Sequence, residues 1–301
     1  MQVVIAGGSG LLGTALSRAL IADGHAVSVL TRGPDREATA GSTRRIHWDP
    51  ANAGGAWTDA VGNADGIVNL AGESIAARWT STHKRKILES RTSATTSLVN
   101  AIAQARTTPP VFISGSAVGY YGPRGSELLT EDSPTGGDFL ASVCKAWEAA
   151  AAPAMARTRV VLLRTGLVLS REGGALPKML PPFRIGAGGP VGSGQQYWPW
   201  IHVRDWVDGA RYALSNVSVE GPVNLTAPEP VTNAAFATAL GHAMHRPAFM
   251  PAPGFALKLL LGEMAEALLL SGQRAIPDKI RRLGFTFRFD TLEAALADLF
   301  R

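Results

Sequence analysis

The opening residues constrain this chain more than any other stretch. Met1-Gln2-Val3-Val4-Ile5-Ala6 is an apolar β-type run that feeds directly into Gly7-x-x-Gly10-x-x-Gly13. Leu12, Leu16, Ala19 and Leu20 then recur at helical spacing. The pattern predicts a strand, a glycine turn and a helix. A turn without Cβ atoms lets a pyrophosphate come close, and the new helix turns unpaired N–H groups and its positive dipole end toward it. Three glycines at this spacing also occur in ordinary loops. Here the setting decides, because a second apolar run, Ala26 to Leu30, follows about 20 residues on, as the dinucleotide fingerprint requires. Gly7, Ser9, Gly10, Leu11, Leu12 and Gly13 are therefore candidate cofactor contacts.

The end of the second run bears on which dinucleotide. A carboxylate there accepts from a ribose 2′-hydroxyl, whereas an arginine accommodates a 2′-phosphate. Leu30 is followed by Thr31-Arg32-Gly33, with Asp35 and Glu37 arriving only later. Thr31 and Arg32 thus point to NADP, against the alternative that Arg32 is a solvated loop cation.

Composition narrows the class. At 301 residues with 46% hydrophobic and 18% charged side chains, the chain can bury a large core in one domain or a compact pair. The net charge of +5 is spread along the sequence with no aromatic-interleaved basic motif, so the expected partner is a small-molecule substrate rather than nucleic acid. One cysteine, Cys144, excludes an internal disulfide and a cysteine-rich metal site and fits a reducing, cytoplasmic setting. Phe255 to Leu270 is too short and too interrupted by charge to span a bilayer, and a membrane is not expected as a partner. The oligomeric state is left open between monomer and homodimer.

Further strands are predicted at Arg45–Trp48, Ala64 to Glu73, Val111–Ser114 and Arg159–Arg164, with helices at Ser81 to Arg106 and Phe139 to Met155 between the later ones. Strands alternating with helices predict an α/β fold with a doubly wound, mostly parallel sheet of the Rossmann type. Small residues end the strands at Leu70-Ala71-Gly72-Glu73 and at Ser114-Gly115-Ser116, where ligands of such sheets lie. Arg78 through Arg91 makes a basic helix face that solvent explains best, with one or two charges available to cofactor phosphates. Beyond residue 170 glycine and proline concentrate, which predicts a dinucleotide domain over 1–170, with 201–227 returning to it. A smaller, mainly helical substrate lobe is assigned to 171–200 and 228–301, with a helix starting at Asp205 as its cap and an amphipathic helix over Phe255 to Leu270.

Taken in order, the glycine turn, Asn69-Leu70-Ala71-Gly72, Ser114-Gly115-Ser116, Thr130-Glu131-Asp132 and Trp200-Ile201-His202-Val203-x-Asp205 resemble an extended short-chain dehydrogenase/reductase, of the superfamily that holds the nucleotide-sugar epimerases and dehydratases. Trp48-Asp49-Pro50, Ser116-Ala117-Val118-Gly119-Tyr120-Tyr121-Gly122 and Leu259 to Met264 with Gln273-Arg274 are similar to its uncharacterised epimerase-like subfamily, some members of which are labelled cell-division inhibitors. The resemblance covers essentially the whole chain. It implies a Ser or Thr that orients substrate and a Tyr, four residues before a Lys, that moves a proton. Lysine and the nicotinamide charge would bring that phenol down from about 10 toward neutrality.

Ser116 matches the serine and Lys145 the lysine, which the resemblance also places on the nicotinamide ribose. Ala141 stands at the tyrosine position. No Tyr-x-x-x-Lys exists, since Tyr120, Tyr121, Tyr197 and Tyr212 are followed four residues later by Arg124, Gly125, Ile201 and Asn216. Tyr120 or Tyr121 are the replacements favoured by position, ahead of Glu73 and His202, while Cys144 lacks a base beside it. Two functions stay open: an NADP-dependent oxidoreductase or epimerase on a small polar or nucleotide-linked substrate, and an NADP(H)-binding sensor without turnover. Arg32→Glu is expected to weaken NADPH binding about tenfold or more in a fluorescence titration, the loss of one charge-assisted hydrogen-bonding partner being worth about 1.5–3 kcal/mol. Unchanged NADPH affinity with no gain for NADH would remove Arg32 from the site.

Overall fold

The sequence β1 (Gln2–Ala6), α1 (Leu11–Ala22), β2 (Ala26–Thr31) realises the opening prediction in a computed structural model that describes residues 1–39, 41–52 and 54–301. Then come β3 (Arg44–His47), α2 (Ala56–Gly62), β4 (Gly66–Asn69), α3 (Ser81–Gln104), β5 (Val111–Ala117) and α4 (Phe139–Ala151). The chain continues with β6 (Arg159–Thr165), α5 (Leu176–Arg184), α6 (Val203–Ser215) and β7 (Gly221–Leu225). The seven strands form one parallel sheet in the order β7-β6-β5-β4-β1-β2-β3. Neighbours run parallel because a helix crosses over between most of them.

Both faces of the sheet are buried, and this is why its inner strands read as continuous apolar runs rather than alternating ones. Val3, Ile5, Val68, Ile113 and Val161 pack under Leu16 and Leu20 of α1 and Trp206 and Ala210 of α6. Val4, Ala6, Ile67, Phe112 and Val160 pack on the opposite face under Trp57, Leu98 and Ile102 of α2 and α3. Several helix starts are set by side chains the sequence supplies locally. Thr80 accepts from the His83 N–H, and Asp138 accepts from the Ala141 N–H.

A third apolar cluster lies past the sheet. It joins Leu176, Leu180 and Phe183 of α5, Trp198 and Trp200, Phe236 and Leu240 of α7 (Asn233–Ala243), and Leu292 and Leu296 near the C-terminus. Asp205 does not cap α6. His202 holds the cap position, while the fully buried Asp205 carboxylate accepts from the Arg288 and Phe289 N–H groups at 2.7 and 3.1 Å. The amphipathic helix expected over Phe255 to Leu270 is also broken. Helix α8 (Gly254–Leu261) ends at Gly262, whose φ of +64° stops it, and the chain resumes as a short turn and a π-helical segment over Glu266–Leu270. Phe255, Leu259 and Leu260 are exposed, not core. No described helix is long and apolar enough to cross a membrane.

The first turn is packed backbone against backbone. A Cβ on Gly13 would lie 2.5 Å from the Gly7 carbonyl oxygen and the Gly8 Cα, and one on Gly7 would lie 2.6 Å from the Leu70 carbonyl carbon. Gly13→Ala is expected to cost about 1–3 kcal/mol by overpacking backbone that cannot yield, read as a lower midpoint in urea denaturation; an unchanged midpoint would show that the turn relaxes freely.

Candidate functional site

The glycine turn is built from main chain. The Gly10 N–H donates to the Gly7 carbonyl at 3.1 Å, and Thr14 Oγ1 donates to the Gly8 carbonyl at 3.2 Å. Gly10 caps α1 without a side-chain acceptor, so the first N–H groups of the helix face the turn unshared. Beside it, at the end of β4, the Asn69 side chain accepts from the Ala71 N–H at 3.2 Å and donates to Thr95 Oγ1 at 2.9 Å. This fixes Leu70, Ala71 and Gly72 as the wall opposite Gly7. At the end of β2, Thr31 Oγ1 accepts from the Gly33 N–H at 3.1 Å, while Arg32 is exposed and has no ion pair among the described residues. The close approaches at Gly7 and Gly13 leave a backbone-lined cradle that a side chain would fill, and the donor set around it suits a phosphate-bearing dinucleotide.

Past β5 a buried polar network takes over. Ser116 Oγ donates to Glu148 Oε1 at 2.6 Å, and Arg164 clamps the same carboxylate through Nε and Nη2 at 2.8 and 2.9 Å. Arg164 Nη1 reaches the Tyr121 hydroxyl and the Glu131 carbonyl, both at 3.0 Å. Tyr121 donates onward to Asn224 Oδ1 at 2.7 Å, and the Asn224 N–H donates to the Glu131 carboxylate at 3.0 Å. Burial works against the Arg164 charge, but the Glu148 hydrogen bonds outweigh it and hold the guanidinium firmly protonated. Burial pushes the Tyr121 phenol up to about 12, and it raises the Glu131 carboxyl against the backbone donors that favour the anion.

Beyond the ends of β5 and β6 lies a cavity of about 240 Å³. Ala117, Val118 and Gly119 form one side, Leu140, Val143, Cys144 and Trp147 of α4 another, and Ala267, Leu268, Ser271 and Gln273 close it from the C-terminal segment. Tyr197, Thr165 and Arg91 supply polar atoms within this mainly apolar wall. Cys144 is buried, and desolvation pushes its thiol up to about 12, which leaves it a poor nucleophile.

The sequence-derived candidates separate accordingly. Gly7, Ser9, Gly10, Leu11, Leu12, Gly13, Thr31, Arg32, Leu70, Ala71, Gly72 and Ser114 lie on or next to the ends of β1, β2, β4 and β5, along one edge of the sheet. Glu73 is exposed and follows them in the loop. Lys145 is placed otherwise: it is exposed on the outer face of α4, one residue out of step with the cavity-facing Leu140, Val143, Cys144 and Trp147. Ser116 is buried against Glu148 and Ala117 takes its place on the cavity wall. Tyr121 is fully buried in the network, and Tyr120 lies under the Arg164 guanidinium, 3.6 Å from its ring centre. His202 caps α6 and pairs with Asp298, with burial lowering it to about 4. Glu148, Arg164, Trp147 and Tyr197 carried no local signal, and Arg91 was visible only as one charge in a basic helix.

Fold and strand-end geometry define a Rossmann-type α/β protein of the short-chain dehydrogenase/reductase class. Residues 3–225 match the NAD dependent epimerase/dehydratase family, and residues 252–299 match a domain of unknown function. The chain belongs to that epimerase/dehydratase family. It is 42% identical over 297 residues to the epimerase family protein ML0860 of Mycobacterium leprae, covering 98% of this chain and 94% of that one. It is 40% identical over 298 residues to the chloroplastic SDR39U1 homolog of Arabidopsis thaliana, covering 98% and 86%. The crystal structure of human epimerase family protein SDR39U1 (isoform 2) with NADPH superposes with a TM-score of 0.89 at 38% identity, covering 99% of each chain.

Arg164→Met leaves Glu148 buried and unpaired and is expected to cost about 3–5 kcal/mol in chemical denaturation. Replacing Glu148 by Leu as well should recover part of that loss; a single variant as stable as the wild type would show that the network is dispensable.

Proposed function

We propose that this protein is an NADP(H)-dependent oxidoreductase acting on a small carbonyl or alcohol held in the cavity beyond β5 and β6. The observation that carries the reading is position: the cradle lies at the ends of β1 and β4, and the cavity of about 240 Å³ lies beyond the ends of β5 and β6, next to them in the same sheet. Gly7, Gly10 and Gly13 would hold the pyrophosphate, and Arg32 would hold the 2′-phosphate. The NADPH carried by the human relative supports this choice of cofactor. The cofactor supplies or accepts a hydride. Leu70, Ala71, Gly72 and Ser114 line its path, and the apolar wall from Leu140 to Trp147 excludes water from the reacting carbon.

The proton falls to Tyr197. Thr165 Oγ1 is engaged, donating to the Leu163 carbonyl at 3.3 Å and accepting from Trp206 Nε1 at 3.0 Å. Ser271 Oγ donates to Ala267. The Tyr197 hydroxyl has no hydrogen bond among the described residues, and Arg274 lies over its ring at 5.2 Å. It is the cavity hydroxyl left free to meet a substrate oxygen.

A second reading, an NADP(H)-responsive protein without turnover, is favoured by one fact: Ser116 and Tyr121 are locked into the Arg164 network and Lys145 is exposed. One assay separates the two. Purified protein with NADPH and a panel of small aldehydes and ketones is expected to oxidise the cofactor at 340 nm, and Tyr197→Phe should lose about 10²–10⁴-fold in kcat while NADPH affinity holds. Tight NADPH binding with no oxidation across the panel would favour the second reading.

A further inference from the structure

A second cavity, of about 140 Å³, opens within the third apolar cluster. Phe183 of α5 and Phe236, Ala237 and Leu240 of α7 form much of its wall, with Val191 beside them and the half-exposed Met250 on its outward side. Among the described residues, no charged side chain lines it. Asn233 is buried there, and its side-chain oxygen already accepts from the Val191 N–H at 2.6 Å. The wall is therefore apolar almost throughout, whereas the first cavity draws polar atoms from Thr165, Tyr197, Ser271 and Gln273.

Met179 and Trp198 line both cavities, so these two side chains form the partition between them. They differ in freedom. Trp198 is buried, its ring packs edge-on against Phe236 with centres 5.2 Å apart, and its main chain pairs with Val231. Met179 is only partly buried, on the flank of the α5 face that Leu176, Leu180 and Phe183 press into the cluster. An unbranched thioether with three rotatable bonds adapts to what lies beside it, and an indole held on two sides does not. Met179 is the movable half of the partition. Tyr197, the hydroxyl left free in the first cavity, immediately precedes Trp198 in the chain. A carbonyl held by Tyr197 thus starts next to the partition.

An apolar chamber of about 150 Å³ stays dry and takes up a ring the size of benzene. The second cavity has that size and that lining. A nucleotide or a sugar has nothing to place in it, because phosphates and hydroxyls would lose their water there without gaining partners. A phenyl ring or an alkyl chain gains by the apolar area it buries. We infer that the substrate is an apolar ketone or aldehyde with a hydrocarbon arm of about six carbons, its carbonyl in the first cavity and its arm passing Met179 into the second. The inference rests on the reading of the first cavity as the substrate site. It narrows the substrate from any small carbonyl or alcohol to one with an apolar arm of limited length.

The test reads binding to protein saturated with NADP⁺, which has no hydride to give. 2-Butanone, 2-hexanone, 2-octanone and 4-phenyl-2-butanone are titrated by calorimetry. Each added methylene is expected to tighten binding about fourfold until the second cavity is full. 2-Octanone and 4-phenyl-2-butanone should therefore bind at least about tenfold more tightly than 2-butanone. Benzene near its solubility limit should erase most of that gain, bringing 2-octanone to within about threefold of 2-butanone while 2-butanone itself holds within about twofold. Ala237→Leu, which fills the second cavity and adds nothing to the wall of the first, should do the same. Met179→Ala should leave the gain at or above its wild-type size. Affinities that do not rise with chain length overturn the inference in the wild type alone. A rise that survives both benzene and Ala237→Leu overturns it too, because the arm then lies elsewhere. Benzene that weakens 2-butanone as much as 2-octanone has the same force, since one chamber then holds the whole ligand. Protein that binds benzene but no ketone of any length brings down the substrate-site reading itself, and the inference with it.

Discussion

Arg164 is the residue on which the site depends. A guanidinium carries five N–H donors in a rigid plane, and this one, next to the last residue of β6, satisfies Glu148 of α4, Tyr121 after β5 and the Glu131 carbonyl at once. Each partner is then fixed by a further bond: Glu148 by Ser116, Tyr121 by Asn224, and the Glu131 carboxylate by the Asn224 and Lys279 N–H groups. The ends of β5, β6 and β7, the front of α4 and the segment at Ile276 to Lys279 are held by one chain of buried bonds. Buried charges persist only when paired and hydrogen-bonded, so the network admits few partial arrangements. It fixes the walls between which the cavity opens.

The serine and Tyr-Lys pair that the sequence resemblance implies are accordingly arranged differently here. Ser116 is spent on Glu148, and α4 presents Leu140, Val143, Cys144 and Trp147 to the cavity. The polar contribution comes instead from outside those elements, from Arg91 on α3 and Tyr197 past α5. What the strand ends keep is the dinucleotide cradle, and that cradle is main chain.

The cradle was legible in the sequence because everything it needs is local: an apolar run, three glycines and a helical stripe within the first two dozen residues or so. The parallel, doubly wound character of the sheet followed from the strand-helix alternation for the same reason, while the order of its strands did not. Side-chain direction was not legible. Lys145 and Cys144 are adjacent in sequence, yet a one-residue step on a helix turns about 100°, so matching a lysine by position gave no guarantee that it faces inward. On β5 the same sensitivity separates Ser116 from Ala117, since successive strand residues face opposite sides. The network was invisible because its bonds join residues far apart, as with Tyr121 and Asn224, 103 positions distant. The break at Gly262 was missed because apolar spacing continues across it, and only the backbone φ reveals that the helix does not.

That separation of 103 positions also bears on how the molecule assembles. Strand β7 is the edge strand beside β6, yet the chain reaches it only after leaving the sheet for α5 and returning through α6. Until Asn224 arrives, the Tyr121 hydroxyl and the Glu131 carboxylate lack their acceptor and donor, and a loop of this length must close before the bond repays the ordering it demands. The first six strands can be in place as the chain is made, but the polar seam around Arg164 is completed late. The cavity therefore takes its final walls only when most of the chain has been synthesised, and a truncated product keeps the cradle without the chamber it serves.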